Sequence, residues 1–343
     1  MAKQSADGTN NQISWVQRRL EKIWYKGGKG TSALLPLEGL YRGLATLDKT
    51  SKLKKQVDHP VPVIVVGNIS VGGTGKTPLV IYLAEQLRQA GYRPAIITRG
   101  YAGDLQEWPV LVTADSDPAV CGDEPVLMAQ RSGVPVVAGP DRNADVTFAL
   151  TNTDCDVIIS DDGLQHYKLK RDIEIAVVDA ARGLGNGHCL PAGPLREPAS
   201  RLESCDYVIF NEVSAKAELS MQLEVQSATN LKTGEQQSLS NWCGKKLHAV
   251  TGIGNPERFF DTLRAQGVEA IEHAFPDHHP FSLADIEFAD QLLVLMTEKD
   301  AVKCKRFASD QHWYVPVTAN VTETFIKDLL NRLGEMEFGK NKP

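Results

Sequence analysis

The strongest chemical signal is the run Val63-Ile-Val-Val-Gly-Asn-Ile-Ser-Val-Gly-Gly-Thr-Gly-Lys-Thr77, an apolar stretch passing into a glycine-rich turn and then a helical pattern. Glycines let successive backbone N–H groups point inward at phosphate oxygens, and a helix starting behind them adds the positive end of its dipole. Ser70, Val71, Gly72, Gly73, Thr74, Gly75, Lys76 and Thr77 then form a cradle for a nucleoside triphosphate such as ATP. Lys76 reaches the β/γ-phosphates and the Thr77 hydroxyl faces Mg2+. Ser70 stands where the general G-x-x-x-x-G-K-[ST] pattern begins with glycine, and Gly72 and Gly73 supply the missing backbone freedom.

A second signal is Asp161-Asp162-Gly-Leu-Gln-His166, directly after the apolar run Val157–Ser160. Carboxylates at the end of a strand beside a phosphate-binding loop are where a metal-holding acid belongs, although Asp-Asp-Gly is also an ordinary turn. One aspartate suffices for Mg2+, so the other serves the nucleophile or supports the first. In Gly122-Asp123-Glu124-Pro125, Asp123 is either a plain helix N-cap or a catalytic base. Leu195-Arg196-Glu197-Pro198 follows a glycine-rich segment able to fold over phosphates, and Pro276-Asp277-His278-His279-Pro280 reads as a solvated loop or a site. Arg99 and Arg142 each follow a strand-like run, to meet a substrate phosphate or a surface carboxylate.

Elements that position these residues are legible as β-branched runs alternating with helical patterns, which predicts a mainly parallel sheet flanked by helices. Strands are expected at Val61–Val66, Pro94–Thr98, Val134–Ala138, Val157–Ser160, Ile173–Val178 and Tyr207–Asn211, and a second group at Leu247–Thr251, Leu292–Met296 and Trp313–Val317. Helices fit at Pro78–Ala90, Glu124–Ser132 and Asp141–Leu150. The expected organisation is a basic amphipathic leader at 1–57, an α/β core at 58–221, a polar hairpin or insertion at 222–240, a smaller second α/β lobe at 241–335 and a tail at 336–343.

Net charge is −6, yet residues 1–57 hold 11 Lys/Arg against 4 Asp/Glu, so a leader of +7 precedes a body of −13. Val16, Leu20, Ile23 and Trp24 share a helical face opposite Arg18, Arg19 and Lys22, and Leu37, Leu40, Tyr41 and Leu44 repeat the spacing. Such helices either dip into an anionic lipid surface or pack on the enzyme core. No repeated recognition module accompanies the basic residues, so no nucleic-acid partner is expected, and no obligate protein partner is evident. No run approaches the roughly 18 apolar residues of a membrane span. The six cysteines form no C-x-x-C pair and read as reduced thiols.

Taken together, Val71-Gly-Gly-Thr-Gly-Lys-Thr-Pro78, Thr98-Arg-Gly-Tyr101, Gly122–Pro125, Asp161–His166, Leu190–Pro198 and Asp277-His-His279 resemble, in order, the tetraacyldisaccharide 4′-kinases, or lipid A kinases. The resemblance implies a P-loop NTPase fold with a two-stranded linker at 222–240, and transfer of the ATP γ-phosphate to the 4′-hydroxyl of a tetraacyl glucosamine disaccharide 1-phosphate. It places a peripheral, monotopic enzyme at the cytoplasmic face of the inner membrane. It also implies that Asp123 is the general base, oriented by His278, and that Thr77, Asp161, Asp162, Gln165 and Glu197 surround Mg2+.

Two other readings compete. A partner-driven nucleotide switch of the deviant Walker A class carries a lysine where this chain has Val71, and a GTPase carries N-K-x-D where this chain has Thr297-Glu-Lys-Asp300. A soluble small-molecule kinase of the same fold would have no use for the basic leader.

Overall fold

The protein was analysed as a computed structural model that describes residues 20, 22–25, 30–100, 107–212, 218–225 and 227–340. Val16, Arg18, Arg19 and the connector residues 26–29 of the expected leader lie outside the described residues, as does Tyr101. Helix α1 (Thr31–Leu53) precedes β1 (Val63–Gly67), α2 (Lys76–Gln89), β2 (Pro94–Thr98), β3 (Val110–Val112), α3 (Pro118–Cys121) and α4 (Asp123–Ser132). Then come β4 (Val136–Ala138), α5 (Arg142–Asn152), β5 (Val157–Ser160), β6 (Ile173–Asp179), β7 (Tyr207–Asn211) and β8 (Ser220–Val225). The second lobe adds β9 (Ala228–Asn230), β10 (Gln236–Gln237), β11 (Lys246–Thr251), α6 (Pro256–Ala265), β12 (Glu269–Ala274), α7 (Leu283–Ile286), β13 (Val294–Thr297), α8 (Glu298–Cys304) and β14 (His312–Val315). Strand β15 (Val317–Val321) and α9 (Glu323–Lys340) complete the chain.

Runs of Val and Ile bury both faces when a parallel sheet is covered on two sides. Every residue of β1, β2 and β5 is accordingly buried. The larger sheet has the order β15-β8-β7-β6-β1-β5-β2-β4-β3, parallel from β8 to β4 and antiparallel at both edges. On one face lie Leu79, Leu83 and Leu87 of α2, Met128 of α4 and Phe325, Leu329 and Leu333 of α9. On the other are Val146 and Ala149 of α5 with Leu164 and Leu169. The register Val63↔Ile158 to Val65↔Ser160 makes β1 and β5 parallel neighbours, so the loops after them open at the same end of the sheet. That crevice is where open α/β sheets bind ligands.

The second sheet, β10-β9-β14-β13-β11-β12, packs Phe260, Leu263, Trp242 and Trp313 on one face and Ile286, Met296 and Cys304 on the other. Segment 222–240 is not one hairpin. Strand β8 leaves the larger sheet, β15 returns antiparallel to it from Val317↔Val225 to Val321↔Met221, and only β9 and β10 pair locally. Helix α9 then packs back on the larger lobe. The polar composition of the stretch marks a turn, and pairing to residues about a hundred positions away leaves no local signature.

Of the two packings open to α1, the structure shows the one that turns the leucines outward. Leu37, Leu40, Leu44 and Leu47 are 51%, 61%, 60% and 69% exposed, whereas Glu38 is 6% exposed. The Glu38 carboxylate accepts the Cys189 N–H at 2.9 Å and lies 2.9 Å from His188 Nδ1, which offsets its desolvation. Tyr41 turns inward, its hydroxyl donating to the Arg196 carbonyl at 2.8 Å. The helix is thus held by its polar side and presents its leucines outward.

Candidate active site

Between β1 and α2 the chain takes the glycine conformations a phosphate loop needs, with Gly72 at φ 105° and Gly75 at φ 91°. A β-carbon at Gly75 would collide with the Asn211 amide, so this position admits only glycine. Asn211 Nδ2 donates to the Thr74 carbonyl at 2.9 Å, and the Val71 N–H donates to the Pro194 carbonyl at 2.9 Å, fixing both sides of the loop. Helix α2 begins at Lys76 with no side-chain cap, leaving first-turn amides available to an anion. Gly72, Gly73, Gly75, Lys76 and Thr77 line a cleft of about 720 Å³ between the lobes. Ser70 and Thr74 are buried beneath the loop, and Val71 faces a neighbouring cavity.

Asp161 and Asp162 enter the same cleft from the end of β5. Lys76 Nζ lies 3.4 Å from Asp162 Oδ1, and Arg196 Nη1 lies 3.2 Å from Asp162 Oδ2. Burial works to raise the Asp162 pKa, but the Lys76 and Arg196 charges outweigh it and hold the carboxyl down at about 2. Asp161 is the opposite case. Burial, then Glu124 and Asp162, push its carboxyl well above the usual range. The Thr98 hydroxyl donates to its Oδ2 at 3.1 Å, while Oδ1 is buried without a hydrogen-bond partner. Two hard carboxylates, with Thr77 lining the same cleft, offer an oxygen donor set suited to Mg2+.

Arg142 is 2% exposed and does not reach out to a substrate phosphate. Nη1 donates to the Gly139 carbonyl and to Asp145 Oδ2, and Nη2 donates to the Asp161 carbonyl at 3.2 Å. Its work is to brace the backbone of Asp161. Arg142→Met would leave the buried Asp145 carboxylate uncompensated, and a loss of about 3 kcal/mol is expected. Urea unfolding would show it as a lowered midpoint with an unchanged slope. Arg99, by contrast, is exposed and borders both the cleft and an adjoining cavity of about 320 Å³, lined also by Tyr41, Val71, Asp162, His166 and Arg196.

Asp123, 5% exposed, begins α4 and accepts the Glu124 N–H at 2.9 Å. His278 reaches it from the second lobe, its Nδ1 lying 3.1 Å from both carboxylate oxygens. Burial would raise the Asp123 pKa, but the His278 hydrogen bond and the Lys299 and Lys303 charges bring it well below the usual carboxylate range. The Asp123 bond raises His278 in turn, against burial and Lys299. His278 borders the main cleft, and both residues border a further cavity of about 510 Å³. The α4–α8 contact carries further ion pairs across the lobes: Arg131–Glu298 at 2.6 Å, Lys299–Glu124 at 2.9 Å and Lys303–Asp123 at 3.4 Å.

Of the two other expected metal neighbours, Gln165 borders the adjoining cavity beside Asp162 and accepts from Arg196 Nη1 at 3.3 Å, whereas Glu197 lies apart. Gln165 donates to the Asn68 carbonyl and to Glu197. Glu197 also takes the Tyr167 hydroxyl and lies 3.6 Å from both Lys49 and Arg201, a cluster under α1 that does not border the main cleft. The Leu-Arg-Glu-Pro motif therefore contributes Arg196 to the acids rather than Glu197. His279 packs on Phe275 and Phe281 and pairs with Asp285, away from the acids. In Thr297-Glu-Lys-Asp300 the threonine caps α8, and Asp300 is fully buried, accepting from Thr251 and Gly252. An aspartate so committed cannot read guanine. Arg196, Lys299, Lys303 and Asn211 join the site without having been singled out for it.

The sequence profile of the tetraacyldisaccharide-1-P 4′-kinase family matches residues 31–334. The chain belongs to that family. A tetraacyldisaccharide 4′-kinase of Nitrosococcus oceani is 50% identical over 316 residues, covering 91% of this chain and 93% of the relative. Another, from Hahella chejuensis, is 46% identical over 338 residues, covering 96% and 99%. Among solved structures, LpxK from Aquifex aeolicus in complex with ATP superposes with a TM-score of 0.74 at 30% identity, over 88% of this chain and 99% of that one. The 4′-kinase family accounts for the P-loop cleft and displaces the switch reading, and the GTPase reading falls with the commitment of Asp300.

Proposed function

We propose that this kinase transfers the γ-phosphate of ATP to the 4′-hydroxyl of a tetraacyl glucosamine disaccharide 1-phosphate, a lipid A precursor, while resting on the cytoplasmic face of the inner membrane. The observation that carries the reading is the convergence from both lobes of the P-loop, the Asp161–Asp162 pair and His278 on one cleft, with Asp123 held behind His278 on the adjoining cavity. Phosphoryl transfer asks for positioning and charge neutralisation more than covalent catalysis. Loop amides and Lys76 hold the β/γ-phosphates, Arg196 adds a second cation, and Asp123 accepts the hydroxyl proton as the new P–O bond forms and ADP departs with the electrons of the old one. Thr77, Asp161 and Asp162 would hold magnesium, and the unpartnered Asp161 Oδ1 fits that assignment. The ion supplies neutralisation of charge on the phosphate oxygens.

An acylated acceptor stays in its bilayer, and the outward leucines of α1 suit that setting. Tyr41 of the same helix lines the cavity that Arg99 and Arg196 share with Asp162, so the acceptor headgroup has a route from the α1 side. Arg42, Lys49, Lys52, Lys54 and Lys55 add attraction to anionic lipid. No helix among the described residues is long and apolar enough to cross a membrane, which agrees with attachment by one face. Labelled ATP offered with the lipid disaccharide and, separately, with soluble sugars tests the reaction, and transfer to the sugars alone would overturn it. Each inserted leucine contributes about 1.5 kcal/mol or more. Leu40→Glu with Leu44→Glu should therefore cut binding to anionic vesicles at least tenfold in a sedimentation assay; undiminished binding would remove α1 from the membrane contact.

A further inference from the structure

Lys299, in the motif that resembled a guanine reader, stands at the mouth of the cleft with no role yet assigned. Its Nζ lies 2.9 Å from Glu124 Oε1, 3.4 Å from Asp277 Oδ1 and 3.5 Å from His278 Nε2. Capping of α8 by Thr297 and the anchoring of Asp300 to Thr251 and Gly252 fix the helix turn that carries it. Burial works against its charge, but Glu124, Asp123 and Asp277 overcome this and keep it protonated.

An ammonium group can only donate. Facing His278 Nε2, it meets that nitrogen's lone pair, so the ring proton sits on Nδ1, where the Asp123 carboxylate accepts it at 3.1 Å. The arrangement selects one tautomer of one neutral ring. Were His278 an imidazolium, Nε2–H would face the ammonium at the same short separation, an unfavourable meeting of like charges.

We propose that Lys299 is a positioning residue for phosphoryl transfer: it fixes His278 as the neutral Nδ1–H tautomer and so keeps the Asp123 carboxylate free to accept the hydroxyl proton. This rests on Asp123 being the base. His278 is faced by Asp123 from α4, Lys299 from α8 and Asp277 from its own loop, with Glu124 paired to Lys299 and Lys303 paired to Asp123 one step further out. The carboxylates favour the imidazolium and the two lysines oppose it. Lys303 is already engaged with Asp300 at 3.0 Å, which leaves Lys299 as the cation at Nε2.

Removing Lys299 favours protonation of both His278 and Asp123, so activity should fail at higher pH on the acid side. For Lys299→Met the acid limb of kcat is expected to move up by roughly one pH unit, and Lys299→Arg should restore it toward the native position. Nitrogen NMR of histidine-labelled protein, with Lys299→Gln as a second variant, reads the tautomer without turnover. The native ring should report Nδ1–H at neutral pH, and both neutral variants a shift toward Nε2–H or the imidazolium. An unmoved acid limb together with an unchanged ring signal would overturn the proposal. Asp123→Asn, assayed in parallel, separates the two levels: if it retains kcat the base assignment fails, and if it loses kcat while Lys299→Met behaves as native only the role of Lys299 fails.

Discussion

Lys76→Ala is expected to lower kcat by about three orders of magnitude, the loss typical of removing one preorganised charge from a developing anion. Lys76 is the first residue of an uncapped helix, so its ammonium and the first-turn amides point into one region of the cleft. Its partner Asp162 is also held by Arg196, so the acid keeps a cation when Lys76 is gone. The fold should therefore survive while the transferring phosphoryl loses its nearest protein charge. Single-turnover transfer from labelled ATP is the direct measurement, with urea unfolding as control. Near-native transfer would take the P-loop out of the mechanism.

That prediction can be made because the loop was readable from residues adjacent in sequence. A five-residue apolar strand, glycines at the turn and a helix start are local features, and the structure puts them at Val63–Gly67, Gly72 to Gly75 and Lys76. Asp161 and Asp162 were legible for the same reason, as acids at the end of an apolar run. Pairing between β8 and β15 was not legible, because their register joins residues on either side of an entire lobe. The pattern left α1 open between a lipid surface and the core, and the outward turn of its leucines has a physical reason. Leucines at helical spacing normally face the core, but a carboxylate can take the inward place where a backbone N–H and a histidine satisfy it, as Cys189 and His188 do for Glu38.

Neighbours in the site follow the same division. Arg196 and Glu197 are adjacent in sequence and part company, one reaching Asp162 and the other Tyr167, with Gln165 bonded to both, which a motif alone cannot resolve. Lys299 and Lys303, four residues apart on α8, share one helix face and meet Glu124 and Asp123 of α4 across the lobes. Their spacing was visible in the sequence; their partners were not.

Asp123→Ala should lower kcat by about 10² to 10⁴, the span of a general base, with ATP binding largely retained. Asp123 does not border the nucleotide cleft, where Lys76 and the loop amides reside, so its loss should not appear in KM for ATP. The pH dependence follows from the sign of the shift. A carboxyl held below its ordinary range stays ionised through neutral and mildly acidic solution, so in the native enzyme the base itself sets no limb there. His278 does, because its pKa is raised by Asp123, and its protonation as pH falls puts a positive charge against the carboxylate and weakens it as a proton acceptor. The acid limb should accordingly track His278 and disappear in His278→Ala, whose lower kcat would fall off only at more acidic pH. A pure KM effect for ATP in Asp123→Ala, or an acid limb that survives His278→Ala in place, would count against proton transfer by this pair.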